Sequence, residues 1–216
     1  MIKQAILLNL FFLIHILCGN SIFAQEDWKL AKDKNGIEVY TRSSQKSSFE
    51  TFKAKMHIKA DVNAFVALLF DIEDFYKWGH GVKRAEILER KGDTLQIYYS
   101  EAKAPFPFKN RDGIYSNEFS WNADSKELFV KVQLLADYLV LDDNMIRVEG
   151  EGYWQVKDLE NDSISIIFQM QIDPGGNIPS WLSSLFIDET PYNTFMNLTE
   201  FINLDKYQNK SFDFIY

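Results

Sequence analysis

Between residues 85 and 173 the chain runs through six strand patterns in succession, at 85–89, 94–101, 113–121, 127–135, 145–156 and 163–173. Consecutive strands joined by short turns fold back on one another as an antiparallel meander, and one face of such a sheet must be covered by an apolar surface. The cover follows a stop at Pro174-Gly175-Gly176, where Leu182, Leu185, Phe186, Phe195, Leu198 and Ile202 form an apolar helical stripe. Pro179 suits the first turn of this closing helix, because its missing N–H would have no partner there. Pro191 is expected to interrupt the helix, which then resumes to about Leu204. Upstream, 28–31 and 37–42 flank Lys34-Asn35-Gly36 and read as a hairpin. Residues 52–58 alternate, with Phe52, Ala54, Met56 and Ile58 on one side and Lys53, Lys55 and His57 on the other. Asp61 can cap a helix carrying Phe65, Leu68 and Leu69 on its apolar side. A second short helix spans 72–78 and ends at Gly79. The class is α+β.

The fifth strand pattern carries an anomaly. Ile146, Val148, Gly150, Gly152, Trp154 and Val156 share one face, opposite Arg147, Glu149, Glu151 and Gln155. Two glycines thus occupy an apolar face where a strand normally places bulk. Glycine there marks a bend in the sheet or a place where something else approaches the backbone, and a strongly bent sheet closed by a helix can leave a void at its centre. Both readings stay open at this point.

The first 24 residues belong to a different problem. Lys3 precedes a mostly apolar run from Ala5 to Cys18, then Gly19-Asn20-Ser21, with Ala24 ahead of Gln25. A basic start, a short apolar core and a small residue at the end make a secretory signal peptide, and the run is shorter than the roughly 20 residues a spanning helix needs. The expected organisation is a signal peptide over 1–24 and one domain over 25–216, exported to the periplasm or secreted. Cleavage after Ala24 leaves 192 of the 216 residues, without Cys18 and without any other cysteine, so no disulfide supports the fold. A chain of that length can be held by its core alone, and an aromatic share of 15% suits a large apolar interior. The net charge of −8, or −9 once Lys3 is lost, argues against nucleic acid and against broad electrostatic attachment to anionic membranes.

Five segments in order carry a family resemblance. They are Asp-Ile-Glu-Asp-Phe-Tyr-Lys-Trp at 71–78, Tyr98-Tyr99-Ser100, Pro-Phe-Pro-Phe-Lys-Asn-Arg-Asp at 105–112, Ile146-Arg147 with Gly152-Tyr153-Trp154, and Asp-Pro-Gly-Gly-Asn-Ile-Pro-Ser-Trp-Leu at 173–182. From about Trp28 onward the chain resembles the START family, the lipid-transfer domain related to the steroidogenic acute regulatory protein. The resemblance implies a helix-grip fold, in which a curved antiparallel sheet wraps around the C-terminal helix. It also implies an internal apolar tunnel for one sterol, phospholipid, ceramide or similar molecule, bound and shuttled without conversion. The family's basic tunnel residue falls on Arg111, the tryptophan of its first helical pair on Trp78, and a polar tunnel position on Ser100. The expected ligand-binding set is completed by Tyr98, Gly150, Trp154, Phe168, Leu182 and Phe186. Relatives often carry a glutamate beside that tryptophan; here the neighbours are Lys77 and Gly79. A buried arginine without a partner costs several kcal/mol, so Arg111 must pair with another carboxylate, Asp74 or Glu101, or take its acceptor from the ligand. No cofactor is implied, and a monomer that touches membranes transiently is expected.

Catalytic chemistry finds few residues to use. His15 leaves with the signal, His57 lies among lysines on a polar strand face, and only His80 sits near the expected tunnel mouth as an acid–base candidate. One histidine and no mature cysteine do not assemble a nucleophile, its base and an orienting group, and no spacing matches a metal's ligands. The alternatives to a carrier are a cyclase- or hydrolase-like enzyme of the same superfamily acting on a bulky apolar substrate, and an interaction module whose tunnel is filled with side chains.

Overall fold

Asn35 and Gly36 both take positive φ, 56° and 75°, the backbone of a two-residue hairpin turn for which Asn-Gly is the favoured sequence. They join β1 (Lys29–Lys34) to β2 (Ile37–Arg42), with Ile37 opposite Lys34. In the computed structural model the chain is described over residues 28–42, 51–159, 161–176, 178–179 and 185–215, without the side chains of Leu185 and Phe186. The expected signal peptide and Leu182 lie outside the described residues. After β3 (Thr51–Lys59), the Asp61 carboxylate accepts from Asn63 N at 2.6 Å and starts α1 (Val62–Phe70). A 3-10 turn (Ile72–Asp74) runs into α2 (Phe75–Trp78), which Gly79 terminates.

The strands that follow are β4 (Val82–Lys91), β5 (Leu95–Ala102), β6 (Arg111–Asn122), β7 (Glu127–Leu134), β8 (Ile146–Arg147), β9 (Glu149–Leu159) and β10 (Ser163–Asp173). They form one sheet in the order β1-β2-β3-β10-β9-β7-β6-β5-β4, antiparallel along this path, while β8 pairs parallel with β6. β1 and β4 do not pair, so the sheet is open among the described residues. The meander therefore returns at β10 to lie against β3, with Phe168 opposite Ala54. Helical backbone resumes as a π-helical turn (Leu185–Glu189) that tightens into α3 (Thr190–Phe201), and a 3-10 turn (Asp205–Tyr207) follows. α3 packs against β2, β3 and α2. Fully buried Phe65, Val156, Ile166, Phe195 and Leu198 make the centre of the core.

Three expectations need correction. The pattern at 145–156 is two strands: Val148 leaves the ladder, donates its N–H to Asp112 O at 2.9 Å, and separates β8 from β9. Pro179, expected in the first turn of the closing helix, is not helical. Pro191 does not break the helical backbone; it stands where the π-helical turn gives way to the α-helical part, at that part's second residue. The glycine question also resolves. A Cβ on Gly150, whose φ is 156°, would lie 2.1 Å from Gln171 O, and one on Gly152 would lie 2.2 Å from Gln169 O. What approaches these glycines is the backbone of β10, drawn close where β9 bends toward it.

Candidate functional site

Alternation along β5 and β6 builds one wall of a cavity. Tyr98, Ser100 and Ala102 point the same way from β5, as do Arg111, Gly113, Tyr115 and Asn117 from β6. Cross-strand register sets Tyr98 opposite Tyr115, Ser100 opposite Gly113 and Ala102 opposite Arg111. Trp154 from β9 and Phe168 from β10 continue the wall, Phe75 and Trp78 come from α2, and Thr190, Pro191 and Thr194 close it from α3. The cavity between sheet and helix offers about 180 Å³ to the centres of water-sized atoms, where a single water needs roughly 10–15 Å³.

The wall is mostly aromatic and aliphatic. Trp154 stacks on Phe168, with ring centroids 3.9 Å apart and planes 9° apart, and lies parallel to Phe195 at 5.9 Å. Tyr98 stacks on Tyr115 at 5.2 Å. Burial raises the Tyr98 hydroxyl far above its ordinary value, reinforced by Tyr115 and partly opposed by Asn117. Burial, with the charge of Asp112, pushes Tyr115 up to about 12. Both remain neutral donors at physiological pH. Trp78 Nε1 and Asn117 Oδ1 are buried with no hydrogen-bond partner among the described residues.

Two adjacent residues on β6 treat charge in opposite ways. Asp112 is 2% exposed and takes Arg147 in a bidentate grip, Oδ1 to Nε at 3.0 Å and Oδ2 to Nη2 at 2.9 Å. Arg111 is 3% exposed, yet no carboxylate among the described residues pairs with it. Its Nη1 donates to Lys109 O at 2.7 Å and its Nε to Pro174 O at 3.3 Å. Burial alone pulls its proton affinity below the usual guanidinium value. The two carboxylates expected as partners are engaged elsewhere. Asp74 holds Lys77 and Lys206, on the outer side of the helical pair. Glu101 takes Lys83 at 2.8 Å, Arg84 at 3.2 Å and Asn110 Nδ2 at 2.8 Å. It points to the face of β5 opposite Ser100, as period-two alternation requires.

Of the sequence-derived set, the cavity brings together Trp78, Tyr98, Ser100, Arg111, Trp154 and Phe168. Gly150 is not on its wall, because the β10 backbone occupies that side of β9. Leu182 and the Phe186 side chain lie outside the description. Residues 98, 100 and 111 gave the parity that also selects Tyr115 and Asn117, which sequence reasoning missed. The Asp112–Arg147 pair was hidden because it joins residues 35 apart across two neighbouring strands, β6 and β8. His80 lies at the cavity's edge and its N–H donates to Thr194 Oγ1 at 3.1 Å, whereas His57 is exposed. No cluster of three or more His, Cys, Asp or Glu that could hold a metal occurs among the described residues.

An open antiparallel sheet curved around a C-terminal helix, with an apolar cavity between them, is the helix-grip architecture. Known proteins share it with this chain. No family model matches the sequence. The chain is 33% identical over 185 residues to the uncharacterized protein PA1579 of Pseudomonas aeruginosa, a match spanning 84% of this chain and 89% of the other. It is 30% identical over 163 residues to the phosphatidylcholine transfer protein of Mus musculus, covering 72% of this chain and 74% of that one. The crystal structure of a STAR-related lipid transfer protein fragment from Xanthomonas axonopodis superimposes with a TM-score of 0.74 at 33% identity, over 82% of this chain and 99% of that one. The chain belongs to the STAR-related lipid transfer, or START, family.

Proposed function

We propose that the protein binds one lipid, or a similarly apolar molecule, in this cavity and carries it unchanged, with Arg111 facing the ligand's polar end. The observation that carries this reading is a single buried guanidinium in a largely apolar wall, with no carboxylate to pair with among the described residues. A charge in that position costs several kcal/mol unless something compensates it. Two loop carbonyls do so in part, and a phosphate, carboxylate or carbonyl of a ligand completes it. Trp78, Tyr98, Trp154 and Phe168 then line the apolar body of the ligand, and Ser100 offers a hydroxyl on the same wall as Arg111. Chemical conversion is not part of the proposal: His80 is the sole histidine at the cavity wall among the described residues, and Asp112, the carboxylate there, is committed to Arg147. In the same reading residues 1–24 export a monomer that meets membranes only while loading and unloading. The test is organic extraction of the protein purified from its host, followed by mass spectrometry. A stoichiometric lipid supports a carrier; an empty protein that also takes up no lipid from vesicles ends the proposal.

A further inference from the structure

Gln96 on β5 stands opposite Asn117 on β6, and such cross-strand side chains lie about 5 Å apart. They are 0% and 2% exposed, and Asn117 lines the cavity. Both amides are half-satisfied in the same way. Gln96 Nε2 donates to Leu69 O at 2.8 Å, near the end of α1, and the Asn117 side chain is hydrogen-bonded to the Tyr98 hydroxyl. Their carbonyl oxygens, Gln96 Oε1 and Asn117 Oδ1, have no donor among the described residues. Native interiors carry few such atoms. An unmet group of the opposite kind lies nearby. Trp78, 2% exposed, lines the cavity from α2, and its Nε1 donor has no acceptor among the described residues. Its place is held by Phe75, whose ring meets the indole at 4.7 Å, and by Asn197 Nδ2, which donates to Trp78 O at 3.0 Å. Phe75 also meets Tyr98 at 6.2 Å, so one ring separates the indole from the Tyr98–Asn117 pair. This end of the cavity is remote from Arg111. Residues 111 and 117 are six positions apart on one face of β6, a span of about 20 Å. Phe119, the next residue on that face, is packed against Phe70 at 4.8 Å. Asn117 is therefore where the cavity gives way to packed core.

We infer that this inner end of the cavity is a second polar subsite, which takes a neutral hydroxyl that the ligand carries far from its head. The inference rests on the lipid-carrier reading and narrows the class of lipid. The donors and acceptors left unmet select the group. A hydroxyl gives one hydrogen to an amide oxygen and keeps lone pairs for an indole N–H. An ammonium would also donate, but it brings a buried charge, and Asp112, the carboxylate on the wall, is committed to Arg147. A ketone or ester carbonyl has no hydrogen for the two oxygens. A plain alkyl end leaves all three atoms unmet. The ligand is thus an amphiphile polar at both ends, with its head at Arg111 and a hydroxylated chain end or ring at Asn117.

The test compares hexadecanoic acid with 16-hydroxyhexadecanoic acid, whose extended chains are of that length. Each displaces a bound fluorescent fatty acid from the unmodified protein and from Asn117→Leu. Both acids carry the same carboxylate, so the ratio of their affinities isolates the hydroxyl. One hydrogen bond gained is worth a factor of roughly 2–10, and in the variant the same hydroxyl is buried facing leucine. The preference for the hydroxy acid should therefore be about tenfold higher in the unmodified protein than in Asn117→Leu. Ratios within twofold of each other overturn the inference, and leave the unmet oxygens to water. Melting of the unmodified protein gives the same decision without the variant: at equal concentration the hydroxy acid should raise Tm more than hexadecanoic acid, and an equal or smaller rise overturns the inference. Binding of both acids without preference removes the hydroxyl subsite and leaves the carrier reading standing. Binding of neither acid nor of a fluorescent phospholipid overturns both.

Discussion

Strand β6 crosses two regions that treat the same concave face in opposite ways. At its start Arg111, Gly113, Tyr115 and Asn117 border empty space. Two residues further on, Phe119 is packed between Phe70 at 4.8 Å and Phe214 at 6.2 Å, and Phe212 closes on Phe70 at 5.3 Å. The chain after α3 supplies this filling: Tyr207 and Ile215 are buried beside α1. Where the tail reaches, side chains occupy the sheet's curvature; where it does not, the curvature remains a cavity. The fold's stability is therefore expected to reside at the filled end, leaving the open end free to carry polar groups that a packed core would reject.

The contrast can be broken most severely at the filled end. Phe119→Ala removes a buried ring whose neighbours cannot all collapse into its place, and should cost about 3–5 kcal/mol in urea unfolding. A loss below about 1 kcal/mol would mean that the tail does not pack as described. Arg147→Met tests the paired charge at the open end. It strands Asp112 without its bidentate partner and releases the loop carbonyls of Ala136 and Leu139, for an expected loss of roughly 3–5 kcal/mol; a neutral result would show that Asp112 is solvated.

A smaller effect sharpens the comparison at the surface. Asp74 has its carboxyl lowered from 3.8 by hydrogen bonds from Lys206 and Lys77, which join the tail to the helical pair that walls the cavity. A folded value below the unfolded one stabilises the protein fully above pH 3.8, and that stabilisation is lost as pH falls through the lower folded value. Both lysines are about two-fifths exposed, so solvent screening holds the contribution to about 1 kcal/mol or less. Lys206→Ala should lower the melting temperature slightly at pH 7, and the difference from the unmodified protein should vanish in the acid limb. A difference that persists at the lowest pH would assign Lys206 a packing role instead.

Much of this molecule was legible because strands write themselves with a period of two. Residues 163–173 and 37–42 read correctly to the residue, and Asp61 and Gly79 marked helix ends through capping chemistry that is local. What the sequence hides is set by neighbours distant along the chain. Gly150 and Gly152 show that space is needed, but not that the β10 backbone fills it. Arg147 reads as an outward charge on a strand; it is covered by Asp112 and by the carbonyls of Ala136 and Leu139 in the preceding loop, partners the local sequence does not reveal. Glu101 and Asp74 were candidate carboxylates for Arg111 by type, and strand parity and the tail's Lys206 commit them elsewhere. The aromatic plug from the tail carries no sequence signal either, since Phe212 and Phe214 sit in a segment with no helical or strand period.

Arg111 is where the account is most exposed. It differs from Arg147 in holding no carboxylate among the described residues, only the carbonyls of Lys109 and Pro174. The direct measurement is a paired one on Arg111→Met: the melting curve, and the affinity for a fluorescent phospholipid probe. Substitution strands no charge and removes a desolvation cost, so stability should stay within about 1 kcal/mol of the unmodified protein or rise. Affinity should fall by about 1.5–3 kcal/mol, the worth of a hydrogen bond to a charged group, or roughly tenfold to 150-fold. Unfolding of the variant, with affinity per folded molecule intact, would contradict the account by making Arg111 a structural residue and not the ligand's anchor.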